Sequence, residues 1–333
     1  MRLGLTYDLR SAYLAEGYGE VETAEFDRDE TIDALETGLS ALGHQVDRVG
    51  HARQLAARLV AGDRWDLVFN IAEGLRGIGR EAVVPALLDL YEIPYTFSDP
   101  LVMALTLHKG MTKRVIRDAG LSTPAFAVVE SARQVDEVDF PGPWFVKPVA
   151  EGTGKGVTPS SVVRSREELG PRCEAMVAEF HQPALVETFL PGREVTVAVL
   201  GTGPKARALG TMEVILLPEA EAEVYSYVNK ERCEELVKYR LIRPEEDPMV
   251  AAAEELAVSC WRVLGCRDGG RVDLRCGEDG LPQFLEVNPL AGIHPEHSDL
   301  PIICNHLGVP YLELLRSIVD SAAERVGKDG ARR

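Results

Sequence analysis

The chain has 333 residues, 45% of them hydrophobic, which is enough for two or three domains with real cores and gives no sign of disorder. Its 53 acidic residues against 36 Lys and Arg leave a net charge of −17, which excludes a nucleic-acid partner and an anionic membrane surface as expectations. A bound nucleotide would need local lysines and arginines and a divalent cation. No run of about 18 apolar residues occurs, so no membrane span is expected. The opening M-R-L-G-L-T-Y-D-L-R lacks the apolar centre of a secretion signal. The six cysteines are irregularly spaced without C-x-x-C, so the expectation is a cytoplasmic protein with reduced thiols.

In chain order, R-L-G-L-T-Y predicts a strand and 31–42 a helix that stops at Gly43. H-Q-V-D-R-V is a second strand, 65–70 (W-D-L-V-F-N) a third, 82–91 a helix and I-P-Y-T-F a short fourth strand. This alternation predicts an α/β fold: a parallel sheet with helices on both faces. No G-x-G-x-x-G follows the first strand, so a dinucleotide site there is not indicated. A second segment opens near Ser98. It holds a helix over 108–119, strands in S-T-P-A-F-A-V-V and P-W-F-V-K-P-V, the loop E-G-T-G-K-G at 151–156, and a helix over 165–180. A third segment starts with A-L-V-E-T-F-L-P-G-R-E-V-T-V-A-V-L-G, two strands joined through Pro191 and Gly192. A helix over 248–264 follows, then a hairpin of G-G-R-V-D-L-R-C and L-P-Q-F-L-E-V-N turned at 278–280, and a last helix over 310–324. The tail G-K-D-G-A-R-R is expected to fray.

The hairpin carries the clearest chemistry. Residues two apart on a strand share a face, so Glu286 and Asn288 point the same way, and the hairpin can bring Asp273 beside them. Two carboxylates and an amide oxygen make a hard oxygen site of the kind magnesium takes when it also holds phosphates. The loop at 151–156 offers three glycines, Thr153 and Lys155, a flap whose backbone N–H groups can wrap phosphate oxygens. It is not a P-loop, because Gly156 follows the lysine. Lys147 sits in the apolar run W-F-V-K-P-V and needs a partner or an anion. With Lys109 and Lys230 also near element ends, the set points to triphosphate binding. A zinc site from His294, His297, Cys304 and His306 is disfavoured, because Pro295 breaks any preformed helix there.

These segments together resemble the ATP-grasp superfamily, and within it the D-alanine–D-alanine ligase family. The resembling motifs are I-P-Y-T-F-S, H-K-G-M-T-K, F-V-K-P with E-G-T-G-K-G, L-V-E-T-F-L-P-G-R-E-V-T-V-A-V-L-G, Y-S-Y-V-N-K, G-G-R-V-D-L and F-L-E-V-N-P-x-x-G, in that order over about 90–300. The resemblance implies a three-domain ATP-grasp fold: an N-terminal α/β domain (1–97), a central subdomain with the glycine flap (98–184) and a C-terminal subdomain with the metal and substrate site (185–333). It implies a cytoplasmic, homodimeric ATP-dependent carboxylate–amine ligase acting on amino acids or short peptides. An acylphosphate forms, and an amine then displaces phosphate. ATP would be held by Lys109, Lys147, Gly152, Gly154, Glu187, Leu190, Glu194, Lys230 and Leu285. Within that set, Glu187 and Leu190 would meet the adenine and Glu194 the ribose. Two magnesium ions, with manganese as a substitute, would sit on Asp273, Glu286 and Asn288. Arg271, Lys230 and Thr153 would act in catalysis.

The departures from the family pattern fall in the substrate site. The glycine pair and Ser-x-Glu segment after the first strand are missing; Asp8, Glu16 and Glu20 are the candidates for the missing carboxylate. Glu73 stands where histidine is usual, Thr153-Gly154 where the flap has a serine pair, and Glu231 where a tyrosine follows the lysine. The closing loop reads N-P-L-A-G-I-H-P-E-H-S-D-L-P, in which Gly292, His297 and Ser298 would meet substrate together with Glu231. These changes suggest a substrate other than D-alanine.

Overall fold

The computed structural model describes residues 1–330. Three sheets carry the chain. Strands β1 (Arg2–Thr6), β2 (Gln45–Gly50) and β3 (Leu67–Asn70) form a parallel sheet in the order β2-β1-β3. Strands β4 (Phe126–Val129), β5 (Trp144–Pro148), β6 (Val162–Val163) and β7 (Ala184–Thr188) form an antiparallel sheet in the order β4-β7-β5-β6. Strands β8 (Glu194–Leu200), β9 (Arg207–Leu216), β10 (Val237–Ile242), β11 (Gly269–Cys276) and β12 (Pro282–Asn288) form the third, antiparallel, in the order β10-β9-β8-β11-β12.

The parallel sheet is covered on both faces, as its strand-helix alternation requires. One face buries Leu3, Leu5 and Phe69 with Ile32, Leu35 and Leu39 of helix Asp29–Ala41 and Leu315 and Ile318 of the last helix, Tyr311–Gly330. The other packs Val49 and Val68 against Leu55, Leu59, Val84 and Leu88. The two ends of the chain therefore share one core. Gly38 permits that contact: a Cβ there would lie 2.5 Å from Leu315 Cδ1. Each fully buried leucine in such a core contributes about 1.5–3 kcal/mol. Asp268 ties the same junction with polar bonds. It is fully buried and accepts from Phe97 N (2.7 Å), Ser321 Oγ (2.7 Å), Thr202 Oγ1 (3.2 Å) and the Arg325 guanidinium.

Several expectations shift. I-P-Y-T-F is not a strand: only Tyr95 bridges, to Val68, because Pro94 has no N–H and Phe97 turns to φ 69°. β7 and β8 do not pair with each other; the Pro191-Gly192 link carries the chain from one sheet to the next. β9, β10 and the helix Asp299–Leu307 had no separate forecast. The last helix runs on through Gly330, and the rest of the expected frayed tail lies outside the described residues. All six cysteines are free.

Candidate active site

The β11–β12 hairpin sets the centre of the site. Its register pairs Asp273 with Glu286 and Arg271 with Asn288. Thr196 Oγ1 on β8 donates to Asp273 Oδ1 at 2.9 Å, Asn288 Nδ2 donates to Asp273 Oδ2 at 3.2 Å, and the Arg271 guanidinium also binds Asp273 Oδ2. Arg271 Nε lies 3.5 Å from Asp299 Oδ2, at the head of the helix after the closing loop. Burial raises the Asp273 carboxyl and outweighs Arg271 beside it. Glu286 is different. Burial would raise it, but Lys109, Lys147, Lys230 and Arg271 together hold it well below the usual range.

Beneath this lies a buried charge chain. Lys113 Nζ stands 2.9 Å from Glu187 Oε2, and Lys147 Nζ 2.8 Å from Glu187 Oε1. Lys113 also donates to Thr123 Oγ1 (3.0 Å) and Phe284 O (3.1 Å). Burial lowers Lys113 to about 8, with Glu187 opposing. Burial pushes Glu187 up, and the two lysines more than reverse it. Lys109 reaches the same region, 3.4 Å from Glu286 Oε2, with Nζ donating to Glu151 O at 2.6 Å.

A cleft of about 840 Å³ opens between the two antiparallel sheets. Lys109, Lys147, Gly154, Glu187, Leu190, Glu194, Lys230, Arg271, Asp273, Leu285 and Glu286 all line it, as does Arg275, 3.3 Å from Glu194. Lys230 lies in the last turn of the short helix Tyr227–Glu231, capped by Ser226, with its ammonium over the Tyr225 ring at 4.9 Å. The cleft joins a wider cavity of about 2060 Å³. There lie Gly152, Thr153, Glu231, Asn288, Gly292, His297 and Ser298. Glu231 and His297 are exposed at its rim, and His297 sits 3.4 Å from Glu234 with its ring stacked on His294. Ser298 Oγ accepts from His294 N at 3.0 Å, closing the loop on itself. Cys304 is buried in the core, so the four zinc candidates do not converge.

The flap is held from the N-terminal side by residues that the sequence did not single out. Glu25 Oε1 accepts from Gly152 N at 2.7 Å and pairs with Lys155 at 3.1 Å; its Oε2 pairs with Arg80 at 2.8 Å. Arg80 in turn donates to Ala150 O at 2.9 Å. Burial raises Glu25, and Arg80 and Lys155 overcome it, leaving it at about 2. Asp8 instead accepts from Tyr13 and from Gly74 N and does not line the cavity, nor do Glu16 and Glu20. Thr153 sits at the turn of the flap with φ 54°. Lys113 was also missed; its signal was the four-residue spacing from Lys109, which puts both on one helix face.

A cleft between two antiparallel sheets, lined by lysines and closed by a glycine flap, defines a nucleotide-binding enzyme. The fold is shared at full length with a D-alanine–D-alanine ligase from Bacillus anthracis solved with ATP: TM-score 0.73, 22% identity, 99% of each chain covered. Residues 115–320 match the family model described as the C-terminus of D-ala D-ala ligase. A D-alanine–D-alanine ligase from Bordetella petrii is 36% identical over 276 residues, 82% of this chain and 80% of that one. Another, from Rhizorhabdus wittichii, is 33% identical over 331 residues, 96% and 98% of the two chains. The chain belongs to the D-alanine–D-alanine ligase family, and is an ATP-dependent carboxylate–amine ligase of that type.

Proposed function

We propose that the protein activates one amino acid as an acylphosphate and joins it to the amine of a second, with ADP and phosphate released. The observation that carries this reading is the hairpin register. It sets Asp273 opposite Glu286 and Arg271 opposite Asn288 where the narrow cleft meets the wide cavity. The narrow cleft suits ATP: Leu190 and Leu285 for the base, Glu194 for the ribose, and Lys109, Lys147 and Lys230 for the phosphates. Glu187 is committed to Lys113 and Lys147, so its part is to position Lys147 as much as to meet the adenine edge.

The donor set fits magnesium. Two carboxylates and one amide oxygen leave room for phosphate oxygens, and the four cations keep Glu286 ionised for such a role. When bound, magnesium would neutralise charge on the transferred phosphoryl group. The protein's own share is to hold the donor carboxylate in line, to place Arg271 against developing charge, and to exclude water. Glu25, Arg80 and Lys155 hold the flap for the last task. We divide the chain into units at 1–97, 98–184 and 185–333. Among the described residues no helix is long and apolar enough to cross a membrane.

The changed residues around the wide cavity, Glu73, Glu231 and the His294–Ser298 loop, favour substrates other than two D-alanines. The test is phosphate release from magnesium-ATP over paired donors and acceptors: D- and L-amino acids, short dipeptides and diamines, D-alanine included. Release that requires both members of a pair is the expected result. ATP binding without release from any pair would overturn the reading in favour of a nucleotide-binding regulator.

A further inference from the structure

The wide cavity has a wall with carboxyl groups that no cation among the described residues pairs with. Three segments distant in sequence place carboxylates on it: Asp27 just before helix Asp29–Ala41, Glu73 in the loop after β3, and Glu81 in the turn Arg80–Ala82. Among the described residues, none of the three lies within ion-pair distance of a lysine or arginine. The cations that act on Glu73 and Glu81 are engaged elsewhere: Arg80 by Glu25 and Ala150 O, Lys109 by Glu286 and Glu151 O. Burial, then Glu81, Glu25 and Asp27 around it, pushes Glu73 well up; burial brings Asp27 and Glu81 to about 7. The chamber they line is a site on independent grounds, because Lys109, Lys230, Arg271 and Glu286 line both it and the nucleotide cleft.

The carboxylates are spread along the wall instead of closing on a point. Among the described residues no three acidic, histidine or cysteine side chains are placed to hold a metal ion. A wall of this kind matches an extended organic cation with N–H donors at two places. Its position selects which substrate that is. Glu81 lies within electrostatic reach of Lys109, at the phosphate end of the cleft. It therefore faces the substrate that is activated, whereas an incoming amine has the loop from Pro289 to Asp299 on the other side.

We propose that the carboxylate-bearing donor of this ligase is a basic amino acid, with its α-ammonium and side-chain ammonium against Asp27, Glu73 and Glu81 and its carboxylate toward Lys109 and Arg271. This rests on the ligase reading above. With a neutral side chain the three carboxyls keep their protons and gain nothing, whereas an ammonium draws them into the ionised form and pairs with them, and that is the basis of the selectivity.

Hydroxylamine in place of the natural amine reads the donor directly. The donor carboxylate oxygen attacks the γ-phosphorus, the bond to ADP breaks, and the hydroxylamine nitrogen attacks the acyl carbon. Phosphate leaves with the C–O electron pair, the nitrogen gives up a proton, and the hydroxamate remains. The full-length protein with magnesium-ATP and hydroxylamine is offered lysine, ornithine and 2,4-diaminobutyrate against norleucine, norvaline and alanine, in both enantiomers. The expected result is a kcat/KM for a basic donor at least about tenfold above that of its neutral counterpart, the discrimination one well-placed charge pair supplies. Glu73→Gln and Asp27→Asn, checked for folding by their melting curves, should each reduce that ratio. Neutral donors equal to or better than basic ones would overturn the inference and leave the ligase reading standing. A ratio unmoved in folded variants would overturn it too. Hydroxamate from no amino acid while ATP binds would sink the ligase reading itself, and this inference with it.

Discussion

Glu187→Gln tests the buried charge chain most sharply. In the parent, one carboxylate holds two ammonium groups at 2.8 and 2.9 Å, and all three side chains are buried. The amide is nearly isosteric, so it changes charge and little else, and it leaves two cations facing a neutral oxygen. Removing one partner of a buried ion pair costs about 3–5 kcal/mol. Lys113 supplies a partial escape, because burial has already brought it to about 8 and it can release its proton. We therefore expect the low end, about 3 kcal/mol. With a urea slope of about 2 kcal/mol per M, the unfolding midpoint falls by roughly 1.5 M. Trp144 on β5 pairs with Thr188, next to Glu187, so its fluorescence reports this sheet; Trp65 and Trp261 sit in other cores. Lys113→Met is the comparison. It leaves Glu187 paired with Lys147, and should cost only about 1 kcal/mol. A Glu187→Gln midpoint equal to or above that of Lys113→Met would refute the reasoning.

Lys113 also gives a pH signature. Its proton is lost near 8 in the folded chain and near 10.5 in the unfolded one, so between those values the unfolded chain binds more protons. The stability contributed by this lysine is least below 8 and rises as pH climbs toward 10.5. Subtracting the Lys113→Met profile from the parent's isolates it, and a flat difference would contradict the shift. Glu286→Gln should keep the melting temperature within a few degrees and lower phosphate release by about a hundredfold or more, if it holds the metal and phosphates; undiminished release would remove it from that role. Asp268→Ala strands Phe97 N, Ser321 Oγ and Arg325 in a buried junction. It should cost about 3–5 kcal/mol, roughly 10 °C by calorimetry, and an unchanged melting curve would show the junction to be unimportant.

What could be read from the sequence depended on how local each arrangement is. The β11–β12 hairpin is local, so alternation alone brought Asp273, Glu286 and Asn288 together. Helix limits were legible where caps are explicit. Pro248 opens its helix behind Asp247, and Gly265 in the left-handed region ends it. β9 and β10 pair with sequence neighbours, β9 with β8 and β10 with β9, and were missed because their residues do not alternate cleanly and Gly210 interrupts β9. Glu25 and Arg80 carry no motif; their contacts span 55 residues to each other and 127 to Gly152, and both sit in irregular backbone or a single turn. The sequence offers Asp8, Glu16 and Glu20 for the missing N-terminal carboxylate, and the fold puts Glu25 at the flap instead. Lys113 lies in a helix of mostly polar residues, and only the β12 strand packed over it makes it a buried partner of Glu187.

The shared core of the two chain ends sets a timetable for biosynthesis. At about 5–20 residues per second, the stretch from β1 to the last helix takes tens of seconds to emerge from the ribosome. The β11–β12 hairpin needs only neighbouring residues and can pair as soon as it emerges. Strand β1 waits longest, because Leu3 and Leu5 complete their packing against Leu315 and Ile318. Strand β1 is therefore made before everything between it and the last helix, and sealed after it.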